Sequence, residues 1–185
     1  MRGLRRVGAG AVIARELVTE RLRLVPISER DLPFLVELDG DPEVMRHLIG
    51  RARTPQEATD FWAPQIPGPQ WVGHLDGAPV GWWALWPREG GIAELGYRLA
   101  RRAWGRGLAT EGARAVVDAA FADPALRVVR AETMVVNEGS RGVMRRLGMR
   151  EVRVEVREWE DPLPGAELGE VIAEVTRQEW SSTEE

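Results

Sequence analysis

The segment RRAWGRGLATEG, residues 101–112, joins two regular elements of different kinds. The preceding stretch, IAELGYRL (92–99), reads as a β-strand, and the residues from Leu108 onward have helical spacing. Glycines let a backbone turn tightly and let its amide groups approach an anion, and the first turn of a helix adds unpaired N–H donors. The segment therefore predicts either a diphosphate-binding turn or a glycine-rich turn with solvated arginines.

The elements on both sides of this segment predict an α/β (α+β) fold, with one mixed, mostly antiparallel twisted sheet flanked by helices. The predicted strands cover residues 19–27, a hairpin at 71–86, then 92–99, 126–136, 150–160 and 170–180. Three short helices are expected before the hairpin, with N-caps at Asp31, Asp41 and Thr54. Two more are expected, one that begins at Leu108 and is ended by Asp123-Pro124, and one within residues 137–148.

The composition narrows the class of protein. The chain has 185 residues, enough for one domain, and a net charge of −4 that gives no nucleic-acid footprint. It has no cysteine, and its two histidines, His47 and His74, lack metal-ligand spacing, so we expect no metal. No apolar run is long enough to span a bilayer. We predict a cytoplasmic protein with a flexible extension at 1–15 and a single domain at 16–185.

Two familiar phosphate-binding motifs fit the segment poorly. A Walker loop requires lysine, and all 25 basic residues of this chain are arginine. A dinucleotide fingerprint would need glycine at Thr110, and Glu132 falls in the middle of a predicted strand rather than at its end.

The segment resembles the acetyl-CoA loop of the GNAT N-acetyltransferase superfamily, through R-x-x-G-x-G at 102–107. AELGYRL (93–99) is similar to the strand that precedes that loop. N-x-x-S at Asn137 and Ser140, followed by RRLGM, resembles a later family segment. The opening TERLRLVPI and DPEV are similar to the branch of ribosomal-protein N-terminal acetyltransferases, so the resemblance spans about 16–180.

The resemblance implies that acetyl-CoA is the cosubstrate. The backbone of the strand end would pair with the pantetheine arm as an added strand, the turn would hold the diphosphate, and two later residues would contact the pantetheine and the nucleotide. The residues implied are Tyr97, Arg98, Leu99, Arg102, Gly105, Arg106, Gly107, Ala109, Asn137 and Arg145.

The chemistry is acyl transfer from a thioester to an amine, and the amine must lose a proton before it attacks. Glu94 is the candidate base; the alternative is that it pairs with an arginine. Many family members carry a tyrosine general acid where this chain has Met144. The resemblance offers Ser140 instead as a hydrogen-bond donor to the sulfur, and a helix cap is its structural alternative.

Three function classes remain open on the sequence. The first is N-acetylation of a primary amine by direct attack in a ternary complex, the acceptor being a protein N-terminus or a small molecule. The second is a non-catalytic acyl-CoA-binding or regulatory module, and the third a nucleotide-dependent oxidoreductase. Trp82 and Trp86 share one strand face and Trp83 takes the other, so they can form core, an acceptor wall or a homodimer contact.

Overall fold

The computed structural model describes residues 15–182. The predicted flexible extension at 1–15 therefore lies outside the described residues, except for Arg15, whose carbonyl accepts a hydrogen bond of 2.7 Å from the Trp71 indole. Among residues 15–182, no helix is long and apolar enough to cross a membrane.

Eight strands form one mixed sheet in the order β1-β2-β3-β4-β5-β6-β8-β7. Every neighbouring pair is antiparallel except β5 and β6, which are parallel. The strands are β1 (Leu17–Val18), β2 (Arg23–Pro26), β3 (Gln70–Leu75), β4 (Ala78–Arg88), β5 (Ile92–Leu99), β6 (Val128–Met134), β7 (Arg150–Glu155) and β8 (Glu170–Thr176).

Six α-helices lie on the two faces of this sheet. They are α1 (Leu32–Asp39), α2 (Pro42–Met45), α3 (Pro55–Trp62), α4 (Leu108–Phe121), α5 (Glu138–Arg146) and α6 (Arg177–Ser181). The capping box predicted for the third helix is present, because Thr54 Oγ1 accepts from the Glu57 amide at 3.2 Å while the Glu57 carboxylate accepts from the Thr54 amide at 2.8 Å.

The predicted order of elements is confirmed, and three boundaries are wrong. The final strand ends at Thr176, because Thr176 caps α6 and forms a capping box with Glu179. The strand expected at 150–160 ends at Glu155, and the front strand is only Arg23–Pro26, preceded by a two-residue strand that alternation did not reveal. Alternation of apolar and polar residues indicates only which face of a strand is buried. It therefore predicts strands that are too long where a strand passes into an exposed segment or a helix cap.

Strand β4 separates two hydrophobic cores, as its tryptophans predict. Trp83 lies in the core beneath α4, where its indole N–H donates to the Ala109 carbonyl at 3.1 Å. A Cβ on Gly112 would lie 2.5 Å from the Trp83 ring, so glycine lets α4 sit directly on this indole. Trp82 and Trp86 face the other core, with α1 and α3, and their ring centroids are 6.2 Å apart.

Candidate active site

The distinctive feature of the sheet is the separation of its two central strands. Strands β5 and β6 are paired only from Ile92 to Glu94, opposite Val128 to Arg130. Beyond this point β6 continues to pair with β8, and β5 continues to pair with β4. The second half of β5, Leu95–Leu99, therefore has no strand neighbour on one side among the described residues. This leaves a wedge-shaped opening between the strands.

The hydrogen-bonding direction along β5 shows which backbone groups face the opening. The Ala100 amide donates to the Val80 carbonyl at 2.9 Å, so the backbone groups of Ala100 and Arg98 point toward β4. Those of Tyr97 and Leu99 point toward the open edge. Trp104, which sequence reasoning missed, donates its indole N–H to the Leu99 carbonyl at 2.8 Å and so marks the end of this edge.

The glycine turn begins immediately after this edge. Gly105 and Gly107 have φ values of +70° and +77°, the left-handed region that disfavours other residues. The first α4 hydrogen bond runs from the Glu111 amide to the Gly107 carbonyl at 3.0 Å. The amides of Leu108, Ala109 and Thr110 thus precede intrahelical bonding, which makes this helix end suitable for an anion.

Arg21 holds the turn in place from the front of the chain. Its guanidinium donates to the Arg106 carbonyl at 3.0 Å and to the Glu111 carboxylate at 2.7 Å. Thr19 Oγ1 also donates to Glu111, at 2.6 Å. Burial would raise the pKa of Glu111, but the bonds from Thr19 and Arg21 outweigh it and lower the pKa. Glu111 is therefore an ionised anchor for the turn.

Three of the predicted site residues meet beside the opening. The Tyr97 hydroxyl lies 2.9 Å from Ser140 Oγ and donates to the Ser140 carbonyl at 3.2 Å. Asn137 caps α5 by accepting from the Ser140 amide at 3.2 Å, so Asn137 rather than Ser140 is the helix cap. Burial raises the pKa of Tyr97 to about 12, with the Ser140 bond opposing, so the phenol keeps its proton at neutral pH.

Glu94 lies apart from this group. It is an even-numbered residue of β5, so it occupies the sheet face opposite Tyr97. Its carboxylate accepts from Arg88 at 2.6 and 2.9 Å, and about a third of its side chain, 34%, remains exposed. The structure thus shows the arginine partner that was the alternative for Glu94, while the carboxylate still reaches solvent next to the opening.

The remaining predicted ligands are spread around the turn. Arg102 turns toward the first helix: it donates to the Pro79 carbonyl at 2.7 Å and to Glu37 at 3.3 Å. Arg145 lies on the exposed side of α5, 3.3 Å from Glu138. Arg106 is exposed on the turn itself. None of these three arginines is brought to the Tyr97–Ser140 pair.

The opposite face holds a buried ion cluster that sequence reasoning missed. Asp39, at the end of α1, is fully buried and accepts from both Arg53 and Arg98. The Trp62 indole also donates to it, at 3.1 Å. Burial lowers the pKa of Arg98, and the charge of Asp39 opposes this effect. No local spacing links these residues, because they come from a helix, a loop and a strand.

A second charged group lies on the same face, on the far side of the opening. Glu132 of β6 is 2.6 Å from Arg157, which also pairs with Glu155 at 2.8 Å and with Glu170. Burial and the neighbouring Glu132 raise the pKa of Glu170 to about 7. If the β5–β6 register continued past Glu94, Glu132 would lie opposite Gly96, so this carboxylate borders the wedge.

A family model described as an acetyltransferase (GNAT) domain matches residues 21–150. The chain belongs to the GNAT acetyltransferase family. This assigns acetyl-CoA-dependent acetyl transfer to the chain and sets aside both the non-catalytic module and the nicotinamide oxidoreductase. The match takes in β5, the glycine turn and α5, so it covers the wedge and its surroundings.

Relatives of this acetyltransferase agree with the assignment. It is 39% identical over 181 residues to the FsC-acetyl coenzyme A-N(2)-transacetylase of Aspergillus fumigatus, covering 89% of this chain and 77% of that protein. Among solved structures, a GNAT-family acetyltransferase from Bacillus anthracis matches with a TM-score of 0.77 at 20% identity, covering 89% and 99% of the two chains. Spermidine N-acetyltransferase from Vibrio cholerae, in complex with CoA and spermine, matches with a TM-score of 0.73 at 17% identity, covering 87% and 98%.

Proposed function

We propose that this GNAT protein acetylates the primary amine of a small molecule by direct attack in a ternary complex with acetyl-CoA. The observation that carries the proposal is the open edge of β5 leading into the left-handed glycine turn and the α4 N-terminus. A strand edge suits an amide-bearing arm, and a helix N-terminus suits a diphosphate. Acetyl-CoA supplies the acetyl group and a thiol leaving group.

Within this proposal, the backbone of Tyr97 and Leu99 binds the pantetheine arm, and Asn137 borders it. The amides of Gly105, Arg106, Gly107 and Ala109 hold the diphosphate. Arg102 and Arg145, now paired with Glu37 and Glu138, exchange those exposed contacts for phosphate or nucleotide. Arg98 contributes through its side chain on the opposite face rather than through its backbone.

The two faces of the sheet take different parts in the proposed chemistry. Ser140 donates a hydrogen bond to the departing sulfur. The Tyr97 phenol keeps its proton at neutral pH, and when it turns that proton from the Ser140 carbonyl to the Ser140 hydroxyl, the serine proton is free to turn into the wedge. Glu94, on the other face, removes the ammonium proton, directly or through water, as the amine enters from the α1–α3 side.

A small-molecule acceptor is supported by the relative from Aspergillus fumigatus, whose name specifies transfer to an N(2) position. A protein N-terminal α-amine is the second candidate, because the segment TERLRLVPI (19–27) is similar to the ribosomal-protein acetyltransferase branch. Both acceptors use the same wedge and the same base.

Two measurements test the proposal. Calorimetry should show saturable binding of acetyl-CoA and none of NADH. Release of free CoA should then be followed with a panel of small primary amines and with peptides of varied N-terminal residues. Turnover of small amines supports the proposal, and turnover of peptides alone would move it to the second candidate. Absence of acetyl-CoA binding by the folded protein would refute it.

A further inference from the structure

The buried ion cluster on the α1–α3 face consists of Asp39, Arg53 and Arg98. It contains two positive charges and one negative charge. Asp39 is the only carboxylate in contact with Arg53 and Arg98 among the described residues, and it is fully buried. The two arginine side chains are only 9% and 11% exposed. A buried charge without a counter-ion is strongly unfavourable, so a net positive cluster favours an additional anion.

The same cluster also has unused hydrogen-bond donors. Among residues 15–182, neither Arg98 Nε nor the Trp82 indole N–H has an acceptor, and both atoms are buried. The guanidinium carbon of Arg98 lies over the Trp82 ring, 5.3 Å from its centroid. Buried donors normally have partners, so these point to an acceptor that the protein itself does not supply.

The location of the cluster connects it to the reaction. Arg98 is in the half of β5 that borders the wedge, on the face that also carries Glu94. Trp82 lies beside Arg98 and packs in turn against Trp62 and Trp86, and the Arg53 guanidinium carbon lies 3.9 Å from the Phe61 ring centroid. About a tenth of each arginine side chain reaches the surface, so neither is sealed from a ligand.

Neighbouring charges do not supply the missing anion. Glu94 is engaged with Arg88, and Asp41 with Arg101 at 2.6 Å. The carboxylates of Glu132 and Glu170 lie beyond the wedge, around Arg157. On this face, Arg53 and Arg98 therefore place positive charge on one side of the opening. Glu132 and Glu170 form an acidic wall on the other side.

We propose that the acceptor of this enzyme is an amine that also carries a carboxylate, and that Arg53 and Arg98 bind the carboxylate. The inference rests on the proposed acetyl transfer to a small amine and names its substrate class. The carboxylate accepts from the two guanidiniums and the Trp82 indole and neutralises the cluster. The ammonium end then lies toward the wedge, between Glu94 and the acidic wall.

The test compares acceptors with and without this charge, and kcat/KM is expressed per deprotonated amine because a carboxamide also lowers the pKa of the neighbouring ammonium group. Glycine, β-alanine, γ-aminobutyrate and L-leucine are each assayed against their carboxamides, and the ratio of kcat/KM for acid over amide is measured. We expect a ratio of about ten or more for at least one chain length, the effect of one charged hydrogen-bonded contact. Arg53→Gln should lower that ratio about tenfold, because kcat/KM should fall for the acid and stay unchanged for the amide.

Arg51→Gln is the matched control, because Arg51 is two residues away, pairs with Glu57 at 2.8 Å and is 60% exposed. It should leave the ratio unchanged. A wild-type ratio of one or below at every length would overturn the inference, as would an unchanged ratio in a folded Arg53→Gln protein. If that variant does not fold, the wild-type ratio decides.

The two proposals fail in different ways. Absence of acetyl-CoA binding removes the proposed function itself. If acetyl-CoA binds but no acceptor of the panel turns over, calorimetry of the same acids and amides with the CoA-saturated protein decides. Tighter binding of the acids supports the carboxylate site, and equal binding contradicts it.

Discussion

The two faces of β5 are built in different ways. Toward α4 and α5, Tyr97 meets a serine on a helix that follows the next strand, and the glycine turn follows β5 directly. Toward α1 and α3, Arg98 meets Asp39 from 59 residues earlier and, through it, Arg53 from a loop. The first face is assembled from short sequence motifs and the second from distant segments.

Under the proposed function, this difference gives the two faces different roles. The motif-built face presents backbone groups and a helix end, which suit a common cosubstrate. The face assembled from distant segments presents buried charge and aromatic rings, to which we assign the selection of the acceptor. Variants of the glycine turn should therefore change the affinity for acetyl-CoA, and variants of the ion cluster should change stability and the choice of acceptor.

The largest effect is expected at Asp39. Asp39→Asn leaves two buried guanidiniums without a charge partner and should lower the free energy of unfolding by about 3 kcal/mol. Chemical denaturation measures this. Glu37→Gln, which breaks an exposed pair with Arg102, is the control and should change it by less than about 0.5 kcal/mol. Equal losses in both variants would show that the buried cluster is not what stabilises this face.

Glu94 tests the chemical part of the same face. Glu94→Gln keeps the shape but cannot accept a proton, so kcat should fall about 100-fold and its pH dependence should change. Arg88→Gln keeps the carboxylate and removes its partner, and it should retain turnover within about threefold. Normal turnover in Glu94→Gln with an unchanged pH profile would remove Glu94 from the mechanism.

Gly107 tests the motif-built face. Gly107→Val forces a β-branched residue to a φ of +77° and obstructs the amides at the start of α4, so the affinity for acetyl-CoA should fall about tenfold. Gly90→Val is matched, because Gly90 has a φ of +74° and an added Cβ there would meet no atom within 4 Å. Both should lose about 1–2 kcal/mol of stability, and only the first should lose affinity. Undiminished affinity in folded Gly107→Val would refute diphosphate binding at the glycine turn.

The hydroxyl pair on this face should act as a unit. Ser140→Ala should lower kcat about tenfold at an unchanged KM for acetyl-CoA, and Tyr97→Phe about threefold, by loss of one hydrogen bond. Because Tyr97 acts through Ser140, the double variant should be no slower than Ser140→Ala. Fully multiplicative losses would mean that the two hydroxyls work independently.

Glu170 should give a small effect on the pH dependence of stability. Its pKa is raised from 4.5 to about 7 in the folded protein, so between these values the folded state holds a proton that the unfolded chain has released. The stabilisation that Glu170 contributes is fully present below pH 4.5 and is lost as the pH rises through about 7. Denaturation across this range should show wild type losing about 1 kcal/mol relative to Glu170→Gln. Parallel curves would contradict the shift.

The sequence predicted the element order and the glycine turn, because each depends on local spacing or local conformation, and the roles given to Tyr97, Asn137 and Ser140 on the motif-built face stay predictions. It did not predict the 59-residue link between Asp39 and Arg98, since an aspartate before Gly40 resembles a helix end. It also separated Tyr97 from catalysis, because contact with Ser140 depends on how α5 packs beside β5. The divergence of β5 from β6 likewise has no signature in the β5 sequence.

The most direct test of the open edge is amide hydrogen exchange along β5, with and without saturating acetyl-CoA. The account predicts that the Tyr97 and Leu99 amides, which face the wedge, exchange more slowly once acetyl-CoA is bound. Gly96 and Arg98, already directed toward β4, should change little. Unchanged exchange at Tyr97 and Leu99 in the saturated protein would contradict binding as an added strand.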